Sequence, residues 1–358
     1  MAQRQLTTED IYGSDPFAWV ALKTLGATPV TLGLFFLLTS VLYALILPFF
    51  WGYPLTVNGN DFIYMFLVFP VAGFFYAYQP TRIITTYESV MRFLRDEEQG
   101  HIIHFEKIIR RHNSRVLWII GLLFGLMGAW FGVTYSAEHF GEYWYSTNWF
   151  QIIFVHLMRL LAFYCIGVTV ARHIATSIEL NHLFESADFP LTLDADRLDV
   201  FRSVKNFALE FVGVAALIAL NLGVQPLIID PPILEYSIYV ALYFIVAPFS
   251  FFLPIWEAHQ RMVHIKKEIL DRLHHDYQEE SQRLYGEIHR DGNTSTEYLH
   301  VSEKLLQLDK MIETVSKALV WPFEGTTVYR LAATVISPFI LVLFELSINI
   351  VSNILAGT

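Results

Sequence analysis

A chain of 358 residues that is 54% apolar, 16% aromatic and only 16% charged is no ordinary soluble domain, in which about 25% of residues carry charge. Its 24 Lys and Arg against 34 Asp and Glu leave a net charge of −10, which gives no reason to expect a nucleic-acid partner. The single cysteine, Cys165, excludes an intrachain disulfide and a cysteine-based metal cluster.

The composition predicts an all-α, polytopic membrane protein. Seven apolar stretches, 27–51, 61–79, 116–135, 149–172, 207–229, 236–256 and 329–355, are each long enough to cross a bilayer as a helix. The short segments 52–60, 136–148 and 230–235 contain no Lys or Arg, whereas Arg82, Lys107, Arg111, Arg172, Arg202 and the basic residues from Arg261 to Arg330 fall in the alternate segments. Positive residues stay on the cytosolic side, so the N-terminus is expected inside and the C-terminus outside a cell membrane, the inner membrane if the source is bacterial. Four units follow: a cytosolic N-terminal segment (1–26), a six-helix bundle (27–256) with cytosolic helical extensions at 80–115 and 174–206, a cytosolic helical hairpin (257–328) and the seventh span (329–358).

The N-terminal segment mixes Arg4, Glu9, Asp10 and Asp15 without the apolar run of a cleaved signal, so the first span itself should direct insertion. Pro70 falls inside the second span, where a kink or local packing role is expected. Beyond Pro80, the residues Ile83, Ile84, Tyr87, Val90, Met91 and Leu94 share one helical face, which lies on the membrane or docks on other helices. Glu97, His101 and His104 follow at i, i+4 and i+7, with Glu106 and His112 nearby. That spacing could place a carboxylate and imidazoles toward a metal or make a pH sensor; against it, Gly100 interrupts the helix and other histidines are scattered along the chain. The aromatic run from Tyr135 to Trp149 reads as an interfacial belt or a ligand-binding patch.

In the fourth span His156 and Arg159 share a face, and Arg159 stands at mid-membrane. An intramembrane charge needs a partner, and Glu345 in the last span lies at a similar depth, so the two could meet; alternatively one or both line a water-filled path. Asp194, Asp196 and Asp199 fit helix capping better than a calcium loop. Glu210 is expected to snorkel at the inner end of the fifth span, with Asn221 nearer its outer end. Pro226, Pro231 and Pro232 predict a rigid outer turn, and Pro248 and Pro254 a bend before Trp256.

The hairpin shows Val263, Leu270, Tyr277 and Leu284 seven apart. After the breaker Asp291-Gly292-Asn293 come Tyr298, Val301, Leu305, Leu308, Ile312, Val315 and Leu319, spaced three and four. This predicts a coiled-coil-like seam, formed within the chain or between identical subunits. In the last span Thr334, Glu345, Asn349 and Ser352 share a face, with Asn353 beside it.

Seven spans with the N-terminus inside, a membrane-proximal cytosolic helical layer, a last span entering from a cytosolic helix and Thr327-Val328-Tyr329 at its start give a layout that resembles the insect odorant and gustatory receptor-like superfamily. Phe189-Pro190 and Trp321-Pro322-Phe323 also look like features of multi-pass prokaryotic proteins. The resemblance implies a ligand-gated cation channel, a homo-tetramer whose last helix lines the pore, with Glu345, Asn349, Ser352 and Asn353 along the ion path, membrane lipids around it and a small-molecule ligand. The competing readings are an ion- or proton-coupled secondary transporter and a non-conducting membrane sensor or scaffold that recruits partners through the hairpin. The chain holds no Walker loop, GxSxG or HExxH and no intramembrane Lys for a retinal Schiff base, so neither an enzyme nor a cofactor is expected.

Overall fold

The computed structural model describes residues 6–51, 62–92, 99–186, 199–228, 233–290, 296–318, 320–321, 325–340 and 343. All regular structure among them is helical. Five helical stretches, Pro29–Phe50, His104–Glu138, Trp149–Glu185, Phe201–Leu227 and Ile233–Gly286, contain apolar windows long enough to cross a membrane.

The chain starts with two short helices, α1 (Thr8–Tyr12) and α2 (Pro16–Ala18), followed by a wide turn, Trp19–Thr24. Thr7 and Asp10 form a reciprocal capping box on α1, and Asp15 caps α2. The segment is not a loose tail, since Leu6, Ile11, Ala18 and Leu22 are buried. Gly13 has φ 55°, and a Cβ there would lie 2.5 Å from the carbonyl oxygen of His112, so only glycine permits this close passage.

A second capping box, Thr28 with Thr31, and Pro29 in the first turn launch α3 (Pro29–Val41). It continues through a wide turn, Leu42–Ile46, into α4 (Leu47–Trp51). Another wide turn, Tyr64–Val68, opens the next helix, α5 (Phe69–Met91). Pro70 thus lies inside a helical run that is continuous from Phe62, just after the wide turn, with Val68 keeping helical backbone angles; the wide turn is the local irregularity that accommodates its missing N–H. The face Ile83, Tyr87, Val90 and Met91 is fully buried, which decides for docking on other helices.

α6 (Gln99–His112) and α7 (Arg115–Glu138) are separated by a break capped by Ser114. Gly100 lies in the first turn of α6 and does not interrupt it. α7 packs along α8 (Trp149–Glu185) through Gly121, Gly125, Gly128, Gly132 and Ser136, a buried stripe of small residues. A Cβ on Gly125 would sit 2.8 Å from the Leu160 carbonyl, and one on Gly128 would sit 2.6 Å from the Phe163 ring. Between membrane helices such close backbone approach replaces the hydrophobic driving force that lipid cannot supply.

α8 is the central helix. Its 37 residues extend for ~55 Å at 1.5 Å per residue, well beyond a hydrocarbon core of ~30 Å. It contacts α5, α6 and α7 along its length, and later elements at its far end. α9 (Asp199–Ile228) and α10 (Ile233–Phe252) pair beside it, and Pro226 and Pro248 are accommodated within these helices. The bend expected near Pro254 is a tight turn, Leu253–Ile255, that feeds α11 (Trp256–Arg290).

α11 and α12 (Thr296–Lys317) pack as a hairpin within the chain. On α12, Val301 and Leu308 are the buried members of the expected seam. On α11 the seam differs in part from expectation: Leu270 and Leu284 are half-buried, Val263 and Tyr277 are exposed, and Ala258, Met262 and Glu280 are buried. A strict seven-residue repeat drifts ~20° per heptad around a straight helix, so the series from Val263 to Leu284 slides along the flank of the contact instead of forming it. Lys266 donates to the carbonyls of Ser316 and Ala318 at the end of α12, and His259 stacks on Trp321 at 3.7 Å. The last described helix, α13 (Gly325–Ile336), runs into a tight turn, Ser337–Phe339, seated on α9.

Candidate functional site

Among the described residues several ion pairs join the helices, Arg111 of α6 with Glu179 of α8 among them, and three others bear on the candidate site. The carboxylate of Asp15 accepts from the Tyr76 hydroxyl (2.6 Å), the Tyr164 hydroxyl (2.5 Å), Arg172 Nη2 (2.8 Å) and the backbone N–H groups of Phe17 and Ala18. Arg172 also lies over the Tyr76 and Tyr12 rings. Burial pushes the Tyr12 hydroxyl above its usual pKa, with the Arg172 guanidinium opposing. Farther along α5, Arg82 grips Glu210 of α9 with two parallel hydrogen bonds, Nε–Oε2 at 2.7 Å and Nη2–Oε1 at 2.6 Å. Glu210, expected only to snorkel, thus has a defined partner.

The third pair answers the question raised by Arg159. Its guanidinium pairs with Glu235 in the first turn of α10, and both side chains are buried. Glu235 is therefore no outer-loop acid but an internal counter-ion. Glu345 lies outside the described residues, as do Asn349, Ser352 and Asn353. His156, one turn before Arg159, hydrogen-bonds Ser136 through Nε2 at 2.7 Å and fills the space left by Gly132. Arg159 also lies 5.0 Å from the centroid of Tyr64.

Next to this pair is a cavity of about 140 Å³, walled by Tyr64, Phe163, Thr169, Asn221, Leu222 and Tyr243 among others. Its lining is overwhelmingly apolar, with Asn221 and Thr169 as exceptions of consequence. Asn221 is 1% exposed, and neither its amide nitrogen nor its oxygen has a hydrogen-bond partner. The Thr169 hydroxyl is likewise buried and unpaired. An orphaned buried polar group costs about 1–3 kcal/mol, so two of them on one cavity wall mark a place where a partner is expected. A comparable apolar cavity takes a benzene-sized molecule, which sets the scale of a guest. No family model, curated protein or solved structure matches the chain. The site must be read from its own chemistry.

That chemistry differs from the metal candidate. Among the described residues no group of three His, Cys, Asp or Glu side chains gathers closely enough to hold a metal ion. Glu97 lies outside the described residues, and His101 and His104 stand on α6. His112 is engaged elsewhere, with Nδ1 on the Ile108 carbonyl and Nε2 on the Thr176 hydroxyl. In the aromatic run, Tyr135 stacks on His139 at 4.2 Å, Tyr143 stacks on Tyr145 at 5.5 Å, and Trp144 is buried beside Tyr43. These rings hold the turn between α7 and α8. Sequence reasoning noted Asn221 only as a polar residue near a helix end. Nothing in its neighbourhood along the chain signals that it lines a cavity.

Proposed function

We propose that this chain is the subunit of a ligand-gated cation channel: a multi-pass protein of the cell membrane with seven spans, its N-terminus inside and its C-terminus outside, assembled as a homo-tetramer around a pore lined by the last helix. The observation that carries this reading is that the cavity wall is also the seat of the last helix. Leu222 and Tyr243 line the cavity, and the Tyr243 hydroxyl donates to the Val335 carbonyl at 3.1 Å. Next to Leu222, Gly223 lets the main chain of Pro338 press against α9. A small, mostly apolar, neutral molecule that supplies a donor and an acceptor to Asn221 would bear on the helices that position the last one. Leu331, Val335 and Phe339 face the bundle, while Tyr329, Ala333, Ile336, Ser337 and Ile340 are exposed and free to meet neighbouring subunits or the axis. In the sequence Glu345, Asn349, Ser352 and Asn353 follow this helix, and on this reading they would supply the ion path.

The test is to count subunits of the purified protein in nanodiscs and to measure cation flux into liposomes. A four-fold ring and a flux altered by Glu345→Gln support the channel; a monomer or simple dimer leaves no shared pore and overturns it. A proton- or ion-coupled carrier is the second reading, favoured by the Arg159–Glu235 pair beside the cavity. Saturable, gradient-driven uptake that is lost in Glu235→Gln would distinguish it.

A further inference from the structure

Across Phe75 and Val214, which line the cavity as well, α3, α5 and α9 enclose a groove of 820 Å³ that opens to the surface. Its walls include Leu37 of α3, Phe74 and Tyr78 of α5, and Gly213 of α9, with Glu210 at one end. Its floor at Gly213 is empty: a Cβ built there meets nothing within 4 Å. From Glu210 to Leu217 the wall runs for ~10 Å, within the ~15 Å depth of one leaflet's hydrocarbon. On the orientation proposed above that leaflet is the inner one.

The polar end of the groove carries two opposite charges side by side. Arg82 spends Nε and Nη2 on Glu210, which leaves Nη1 as a further donor, and the Glu210 carboxylate keeps lone pairs beyond the two it uses. Both side chains are partly exposed, at 28% and 39%. A phosphodiester can accept from the free arm of Arg82 only if something offsets the repulsion of Glu210 beside it. A primary ammonium on the same headgroup does so by donating to that carboxylate. A glycerol headgroup brings no cation, and a choline has no N–H to donate.

We propose that this groove is a binding site for one phospholipid with a primary-amine headgroup, its acyl chain against Gly213 and Phe74 and its phosphate and ammonium on Arg82 and Glu210. The test extracts the protein from nanodiscs holding equal amounts of phosphatidylethanolamine and phosphatidylglycerol, then counts retained lipids by native mass spectrometry. The wild type should retain one phosphatidylethanolamine per subunit, favoured about fivefold, the size of one partly exposed charge contact. Glu210→Gln should bring the two lipids to parity. Gly213→Trp should expel the lipid whatever its headgroup, at unchanged elution volume and melting temperature, and it keeps the test open if Glu210→Gln does not fold. Equal retention of both lipids by the wild type, no retained lipid, or full retention in Gly213→Trp would overturn the proposal.

Discussion

The residue that does most for the bundle is Asp15, because it gathers five donors from three parts of the chain. Removing it strands Arg172, which is 1% exposed, without its counter-ion. Breaking a buried pair from one side costs about 3–5 kcal/mol. Asp15→Ala should therefore lower stability by that order in equilibrium unfolding, and Arg172→Met should do the same. In the double mutant the two losses should fall well short of adding, since each single change leaves the other charge unpaired. Full additivity would show that the contact contributes nothing. None of this was legible in the sequence, where Asp15 is one acid among several in a polar N-terminal stretch. Its partners Tyr76, Tyr164 and Arg172 lie far along the chain, and charge counting placed Arg172 simply among the basic residues of the inner side. Glu235 escaped for the same reason: in the sequence it belongs to the outer segment 230–235, and only packing brings it to Arg159.

Elements were more legible than contacts. Apolar windows located α3, α7, α8, α9 and α10, and three- and four-residue spacing placed Val301 and Leu308 on the packed face of α12. The face of α11 was misplaced because the repeat there drifts about the helix axis. This yields a direct test, since adjacent residues should respond in opposite ways. Met262→Asp buries an unpaired charge at a site 1% exposed and should destabilise by about 3 kcal/mol or more, whereas Val263→Asp, at a site 43% exposed, should change stability by less than about 0.5 kcal/mol. Melting temperature and circular dichroism of the two variants would check it, and a reversed order would restore the seven-residue seam. The glycine stripe of α7 gives a second prediction at this scale. Gly128→Leu cannot fit against the Phe163 ring and should part α7 from α8, lowering the melting temperature followed by circular dichroism, whereas an unchanged melting temperature would show that the stripe does not hold the two helices together.

For the molecule as a whole, the question is whether the last helix is held by the same wall that encloses the cavity. Two glycines of α9 separate the possibilities, because they differ only in what they face. A Cβ on Gly223 would lie 1.6 Å from the Pro338 carbonyl oxygen, which is backbone and cannot turn aside, while a Cβ on Gly213 meets open space. Gly213→Ala should be neutral, or stabilising by about 0.5–1 kcal/mol from helix propensity alone. Gly223→Ala gains the same propensity yet must push the Ser337–Phe339 turn outward, so a fall in stability would measure the strain of displacing the last helix. Direction can be read as well as magnitude. Val335, 7% exposed, faces the bundle and accepts from Tyr243 through its carbonyl, and the buried Cys165 leaves a nearly silent background for labelling. A cysteine introduced by Val335→Cys should react slowly alone and faster when combined with Gly223→Ala, while Gly213→Ala leaves it unchanged. The cavity supplies the converse experiment: Asn221→Leu satisfies the apolar wall, removes the orphaned amide and should raise stability while abolishing any response to a hydrogen-bonding guest. If Asn221→Leu also slows labelling at position 335, cavity and last helix form one mechanical unit. If it leaves labelling unchanged while Gly223→Ala speeds it, the seat of the helix is separate from the cavity and a guest in the cavity has no mechanical hold on the last helix.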